Sequence, residues 1–587
     1  MKQALLASSR WLPWRSAVVA RTLTTLALVV GVPLFLRMPP WCDLTLYDVA
    51  AQNLLRGGVH YRDVFDTNLP GFVWILTAIR ATFGWSTEVV RCVDLLIVTG
   101  IVVLLDRLAA YGGATRSSRA WMVAGVAIFY PFTSEFNHAQ RDVWMMLPAL
   151  GAVVLRYRQF QTVGAIPFRS AVLQGVVWGL AVWIKPHVVV PAACVWLSTL
   201  PRLKAQNGWS GVATDLIGNV VGGGAIGLMG VAYLIASGTW EPFVEVFTFW
   251  NPGYFQNIQA EFTKRVMVQL DYFPPWGYLQ LASVPLALGC LVDGLTRSGY
   301  VGQKLPAWLW QRADSEQVRF GRLILAALYV GWSGQALVLQ KDLHYAHVSE
   351  VFFLLALLST HRWAPGALMA TWLTITSVIV GTGLAPAQNP HPALMQAHQP
   401  LAWIIQHPAL DMTRLKQWPA CWRKHLSPRD YFHRRMTLAQ VRNFAPSTNW
   451  TEIYEIVQEL ERRGATDDVI CWHDSPHVVY AMAHFPPAYR FQHVSNMIQI
   501  GPAQEARMWA ELQAATHARY VVSDLEGVFC DERNQFGPDR LPPKMPASYR
   551  NYFPYDQPVI FRSGMGHGRY MIHELTKPIH PLYKFDP

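Results

Sequence analysis

"TLTTLALVVGVPLFLRMPPWCDLTLYDVAAQNLLRGGVHYRDVFDTNLPGFVWI" (residues 22–75) joins an uncharged apolar run to a polar segment holding four aspartates, Asp43, Asp48, Asp63 and Asp66. With the residues before it the run reaches about 20, long enough to cross a bilayer as a helix. The lead-in is basic and no small-residue cleavage site follows, so the run reads as a first transmembrane helix with its N-terminus in the cytoplasm and not as a signal peptide. The carboxylates then stand at the far membrane face.

The rest of the chain extends this pattern. Of 587 residues, 52% are hydrophobic and only 15% charged, against the roughly 25% charge of soluble domains. Further apolar runs lie near 87–107, 119–133, 142–156, 170–185, 187–200, 213–236, 276–296, 320–339, 346–361 and 363–384, which makes about eleven spans. The segment 70–83 is apolar but short and carries Arg80, so it reads as juxtamembrane or re-entrant. The net charge of +11 does not point to nucleic acid, because many of the Lys and Arg sit in short loops such as "RYRQFQTVGAIPFRS" and "PRLKAQNGWS", where they set topology. These loops share the N-terminal side. The other side receives 39–86, "TSEFNHAQRD", the "KPH" break at 185–187, "QKDLHYAH" and the region after about 400. The expected fold is mainly α: a polytopic transmembrane bundle of about 11–13 helices over 1–384, followed by a small extracytoplasmic α/β domain over 400–587.

In that second region "NWTEIYEIVQELERRG" has helical spacing with Gly464 as its stop, and "PHVVYAMAHF" and "PAQEARMWAELQAAT" are further helices. "DVICW", "ARYVVSDL", "PVIFRSG" and "RYMIHEL" read as strands. No Gly-rich phosphate loop, GxSxG or HExxH assigns this domain a chemistry of its own. The seven cysteines show no metal spacing, and they leave room for one disulfide among Cys421, Cys471 and Cys530.

Charges at a membrane edge need a partner or a function. Lys185 in "GLAVWIKPHVVV" interrupts an apolar stretch where Pro186 breaks the helix, and a lysine there suits a phosphate. Asp142 in "QRDVWMMLPAL" opens an apolar helix, where a carboxylate also favours the helix dipole. His344 and His347 share a helix face but make an incomplete metal site. Asp48, Asp63 and Asp66 read as solvated or capping residues of the loop.

These stretches resemble the polytopic GT-C glycosyltransferases, the protein O-mannosyltransferase and aminoarabinose-transferase group. Asp43, Tyr47, Gly58, Tyr61 and Pro70 occupy the places of that family's first extracytoplasmic loop, "QRDVWMMLPALGAVVL" resembles its next extracytoplasmic helix start, and "GLAVWIKPH" its Lys segment. "LQKDLHYAHVSE" resembles a later Lys/Tyr/His segment, and "DVICWHDSPHVVYAMAHFPPAYRF" with "ARYVVSD" resembles the family's extracytoplasmic domain. Two departures stand out: Asp43-Leu44 replaces an Asp-Glu pair, and Leu69-Pro70 replaces Pro-Pro.

The resemblance implies a transferase of a bacterial inner membrane that passes a sugar from a polyprenyl-phosphate donor to an extracytoplasmic acceptor, lipid, glycan or protein, with inversion. Asp43 would be the base and Asp142 a second carboxylate orienting the site or binding a divalent cation such as Mg or Mn. Lys185 would contact phosphate, and Tyr47, Tyr61, Arg141, His187, Lys341 and His344 would be further substrate contacts. A lipid-linked saccharide transporter and an inactive scaffold of the same fold are the rival readings; the absence of an internal repeat speaks against the first, and the missing Asp-Glu pair favours the second.

Overall fold

The computed structural model describes residues 2–256, 276–296, 315–340, 344–361, 448–492, 501–525 and 551–580, apart from 134, 163 and 474, together with the isolated positions 263, 266 and 419; side chains are described from Ser16 on. Helix α1 spans Lys2–Arg37, α2 Cys42–Leu55, α3 Gly71–Phe83, α4 Thr87–Tyr111, α5 Arg116–Phe129, α6 Arg141–Trp144, α7 Met146–Gln159, α8 Phe168–Ile184 and α9 Val189–Ala236. Beyond them come short helical pieces between Trp240 and Gln256 and the helices Trp276–Thr296, Glu316–Leu339 and His344–Ser359. Among the described residues four helical stretches are long and apolar enough to cross a membrane, within Ser16–Arg37, Pro186–Ala236, Leu279–Thr296 and Glu316–Leu339, and α3, α8 and Tyr345–Ser359 are shorter apolar helices. The expected run at 363–384 and the expected boundary at 384–400 lie outside the described residues.

Nominally α9 is one helix of 48 residues, but Gly208 inside it has φ 65° and ψ −172°. The Trp196 indole donates to Asp215 at 2.9 Å, although 19 residues of straight helix would separate them by about 28 Å. The chain therefore reverses at Gly208, and the two apolar runs 187–200 and 213–236 form a hairpin with the basic loop at its tip. The second limb lies backbone to backbone on α8: a Cβ on Gly222 would stand 2.0 Å from the Val172 carbonyl. Small residues of this kind let membrane helices approach closely where no hydrophobic force drives them together.

The basic loop between α7 and α8 is more than a topology signal. Arg156, in the loop-proximal end of α7, is fully buried and donates to Asp215 at 2.7 Å and to Thr199 at 2.9 and 3.1 Å.

In the C-terminal region β1 (Val469–Cys471), β2 (Tyr520–Asp524), β3 (Val559–Arg562) and β4 (Tyr570–Glu574) form one sheet in the order β1-β2-β4-β3, with β1 and β2 parallel and the rest antiparallel. Helix Trp450–Arg462 covers it with Ile453, Ile456, Val457 and Leu460. Its start is capped by Asn449, whose side chain accepts from the Glu452 amide, and Gly464 takes φ 70° just past its end. The helices and strands expected from the sequence are thus present. Cys471 is a buried free thiol, while Cys421 and Cys530 lie outside the described residues.

This domain sits on the loop that follows α1. Thr45 is hydrogen-bonded to His477 at 2.8 Å, Gln52 to His484 at 2.5 Å, and the Phe65 amide donates to the Arg490 carbonyl at 2.8 Å. Arg490 grips Glu511 through two bonds of 2.7 Å and Glu245 at 2.9 Å, a bidentate arrangement suited to fixing orientation.

Candidate active site

Pro186 decides the local shape around Lys185. Proline cannot continue a helix, and it drives the preceding residue toward extended backbone. Accordingly α8 stops at Ile184, Lys185 takes φ −157° and ψ 120°, and a short 3-10 turn over Pro186–Val188 leads into α9. The extended residue throws its side chain across the bundle, where its ammonium donates to Asp142 Oδ2 at 2.5 Å with both groups buried. Gln340 donates to Asp142 Oδ1 at 2.7 Å, and the Ser349 hydroxyl donates to the Asp142 carbonyl at 2.9 Å. Lys185 also lies over the Tyr345 ring at 5.1 Å.

The other cation comes from the neighbouring residue. Arg141 stacks its guanidinium over Tyr47 at 5.3 Å and is in electrostatic reach of Asp66, Asp142 and Tyr345. Asp43, half-buried in the first turn of α2, is in electrostatic reach of Lys185, and so is His187. The structure therefore brings Asp43, Tyr47, Arg141, Asp142, Lys185 and His187 to one end of the bundle. Tyr61 stands close by, but its hydroxyl donates to the Asn68 carbonyl at 2.6 Å and its ring stacks on His60, so it shapes the loop. Lys341 lies outside the described residues, and of His344 only the backbone, in helix His344–Ser359, is described.

Both oxygens of Asp142 receive N–H donors, which is not the surrounding of a metal ligand, so the metal-binding role does not fit this residue. Among the described residues no group of three or more His, Cys, Asp or Glu side chains is placed to hold a metal ion.

Three aspartates of the loop need separate treatment. Asp63 is the capping residue expected, accepting from the Val59 amide at 2.6 Å. Asp48 is not solvated: it is buried, and Arg80 donates to it at 2.8 and 2.5 Å. That pair explains how α3 carries an arginine within an apolar helix. Asp66 is not solvated either. Its carboxylate is 10% exposed, Oδ1 accepts from Asn68, and Oδ2 is buried without a hydrogen-bond donor. Burial pushes its pKa up to about 6 against the opposing pull of Arg141, while burial pushes His60, 3.7 Å away, down to about 3, so the imidazole is neutral and offers no compensating charge. Leu44, where the family pattern has its second acid, is buried at 3% exposure; the second loop carboxylate near the site is Asp66 instead.

A carboxyl whose folded pKa is raised holds its proton more tightly folded than unfolded. Its contribution is fully present below the unfolded value and is lost as pH rises through 6, leaving an ionised group that costs on the order of 3 kcal/mol above it. Asp66→Asn is therefore expected to raise the unfolding temperature at pH 7.5, with the gain closing toward pH 4. Thermal unfolding of the whole chain in nanodiscs across that range checks it, and a gain that does not shrink on acidification would contradict the assignment.

Gln340, Ser349 and Asp66 were not legible as site residues. The polar interruption 340–350 between two apolar runs marks the segment, but only the packing selects which of its side chains reach Asp142.

No protein family matches the chain by sequence, and no curated protein does. Among solved structures it is similar to ArnT from Cupriavidus metallidurans bound to undecaprenyl phosphate, at 11% identity and a TM-score of 0.47 over 96% of this chain and 99% of that one. It is similar to the same protein in its apo state at 12% identity and a TM-score of 0.42, over 97% and 98%. It is also similar to the Archaeoglobus fulgidus oligosaccharyltransferase complex with zinc and sulfate, at 12% identity and a TM-score of 0.41 over 86% and 68%. The likeness is one of chain course.

Proposed function

We propose that this chain is a membrane glycosyltransferase that takes a sugar from a polyprenyl-phosphate donor and passes it to an acceptor hydroxyl on the extracytoplasmic side, in a bacterial inner membrane with the N-terminus in the cytoplasm. The observation that carries the reading is the meeting of Asp43, Arg141, Asp142 and Lys185, from three separate segments, at the bundle end that bears the C-terminal domain.

The arrangement suits one displacement. Asp43 takes the proton of the acceptor hydroxyl as its oxygen attacks the anomeric carbon. The bond from that carbon to the phosphate oxygen breaks on the opposite face, and the electron pair leaves on the polyprenyl phosphate. Arg141 and Lys185 stabilise the charge that develops there. Asp142 holds Lys185 in place before the donor arrives, and the buried setting lowers the screening of all these charges. Because phosphate is already a good leaving group, a second, acidic carboxyl is not required. No step is routed through a metal ion.

The test is release of polyprenyl phosphate from a panel of radiolabelled polyprenyl-phosphate sugars by the reconstituted protein, with glycolipid and glycan extracts as acceptors. Lys185→Met is expected to lower kcat/KM for the donor about 100-fold, the scale of one lost charge-stabilising contact. Labelled lipid that crosses the membrane unconsumed would replace the reading with transport, and release that is insensitive to Lys185→Met would remove its phosphate role.

A further inference from the structure

Helix α4 carries two fully buried charges that the chemistry above does not use. Arg91 and Asp94 stand one turn apart, both at 0% exposure, in a helix whose sequence is otherwise mostly apolar, where ionisable groups are costly and call for a reason.

Their partners supply one. Asp94 Oδ2 accepts from the Tyr130 hydroxyl at 2.6 Å and from the Ala139 amide at 3.1 Å, and Oδ1 accepts from the Trp144 indole at 2.7 Å. Ala139 sits in the left-handed region at φ 52°, a strained place for a residue with a Cβ, and such strain persists only where the surroundings over-determine it. The Asp94 bonds to Ala139 and Trp144 bracket Arg141 and Asp142 on both sides. Arg91 reaches the other way: its guanidinium donates to the Pro39 carbonyl at 2.7 Å and lies over the Phe35 ring at 5.0 Å. Pro39 is four residues before Asp43.

Resting on the transferase reading above, we propose that the Arg91–Asp94 turn of α4 is the positioning element that sets the separation between the base and the phosphate-facing cations. One rigid helical turn anchors the chain leading to Asp43 with one hand and the turn bearing Arg141 and Asp142 with the other. An in-line displacement demands that separation, since attack and departure occur on opposite faces of one carbon, and a misplacement of about 1 Å is enough to cost two orders of magnitude in rate. Neither residue is catalytic; each acts through the segment it holds.

Three variants of the whole chain in nanodiscs test this. Trp144→Phe keeps an aromatic ring at the position and removes one bond to Asp94. Asp94→Asn also turns an amide N–H toward a donor, and Arg91→Gln releases Pro39. Asp94→Asn is expected to raise the donor KM about tenfold, the equivalent of one displaced hydrogen bond, with Trp144→Phe intermediate. Arg91→Gln is expected to lower kcat with the donor KM unchanged, because it loosens the base and not the cations. Hydrogen exchange of residues 137–145 should accelerate in Asp94→Asn and Trp144→Phe by more than any fall in the unfolding temperature accounts for, while exchange in the rest of the bundle follows global stability. Unchanged KM with unchanged exchange overturns the proposal, as does a kcat loss that merely follows a loss of folded protein. Should Asp94→Asn fail to fold, Trp144→Phe decides by the same two readouts. The exchange measurement needs no turnover, so a failure of the transferase reading shows in the activity assay alone.

Discussion

Asp43→Asn is expected to abolish most of the turnover and little else. A positioned general base contributes roughly 10²- to 10⁴-fold, so kcat with a saturating donor should fall by about three orders of magnitude. Asparagine matches aspartate in shape, and Asp43 is only half-buried at the start of α2, so the fold should be indifferent to the change apart from a small loss of the favourable interaction with the helix dipole, typically about 0.3–1 kcal/mol. The donor KM should stay level or fall slightly, because the substitution removes a negative charge within reach of Lys185 without touching a phosphate contact. A loss confined to kcat is the signature of an interaction made only in the transition state. Steady-state kinetics over a range of donor concentrations make the measurement. A kcat within about twofold of wild type would remove Asp43 as the base, because even the weakest general base is worth far more than that.

How much of this could be read before the structure depends on the range over which each cause acts. Lys185 was legible because its conformation is set by the very next residue: Pro186 ends the helix and extends the lysine, and an isolated cation in an apolar stretch needs a purpose. The elements of the C-terminal sheet were legible for the same reason, since alternation, capping and a stop glycine are local signals. Asp48 was misread because local rules take a polar loop to be wet; Asp66 caps its turn as expected, accepting from the Asn68 amide, but its burial was missed for the same reason. The burial of Asp48 is decided by Arg80, 32 residues later, and that of Asp66 by the packing of the loop beneath the C-terminal domain. Arg91 and Asp94 stayed invisible within an apolar run, because nothing in their neighbourhood in sequence names Pro39 or Ala139 as partners. The partnership of Asp142 with Lys185 and Gln340 joins residues 43 and 198 positions from the aspartate. Sequence spacing could nominate the lysine and the aspartate separately, but not place one on the other.

Arg156 is the case where a topological reading hid a structural one. Counted with the basic loops, it looks like a charge that water surrounds, yet its side chain and that of Asp215 are both fully buried. The pair ties α7 to both limbs of the α9 hairpin: Thr199 on the first limb receives the guanidinium, Asp215 on the second is its counter-ion, and Trp196 closes the loop by donating back to Asp215. Removing one charge strands the other where water does not reach, so Arg156→Met and Asp215→Leu should each lower stability by about 3–5 kcal/mol. The double variant replaces the pair with apolar side chains of similar bulk and should recover most of that, ending within about 2 kcal/mol of wild type, since a buried pair offers little net gain over good packing. Unfolding of the four proteins in the same detergent gives the cycle. The outcome that counts against this account is additivity: if the double variant loses the sum of the two singles, the residues stabilise the hairpin through separate contacts with Thr199, Gln159 and Trp196 and not through each other. Either result leaves the site at the far end of the bundle intact, so donor turnover measured on folded double variant should match wild type.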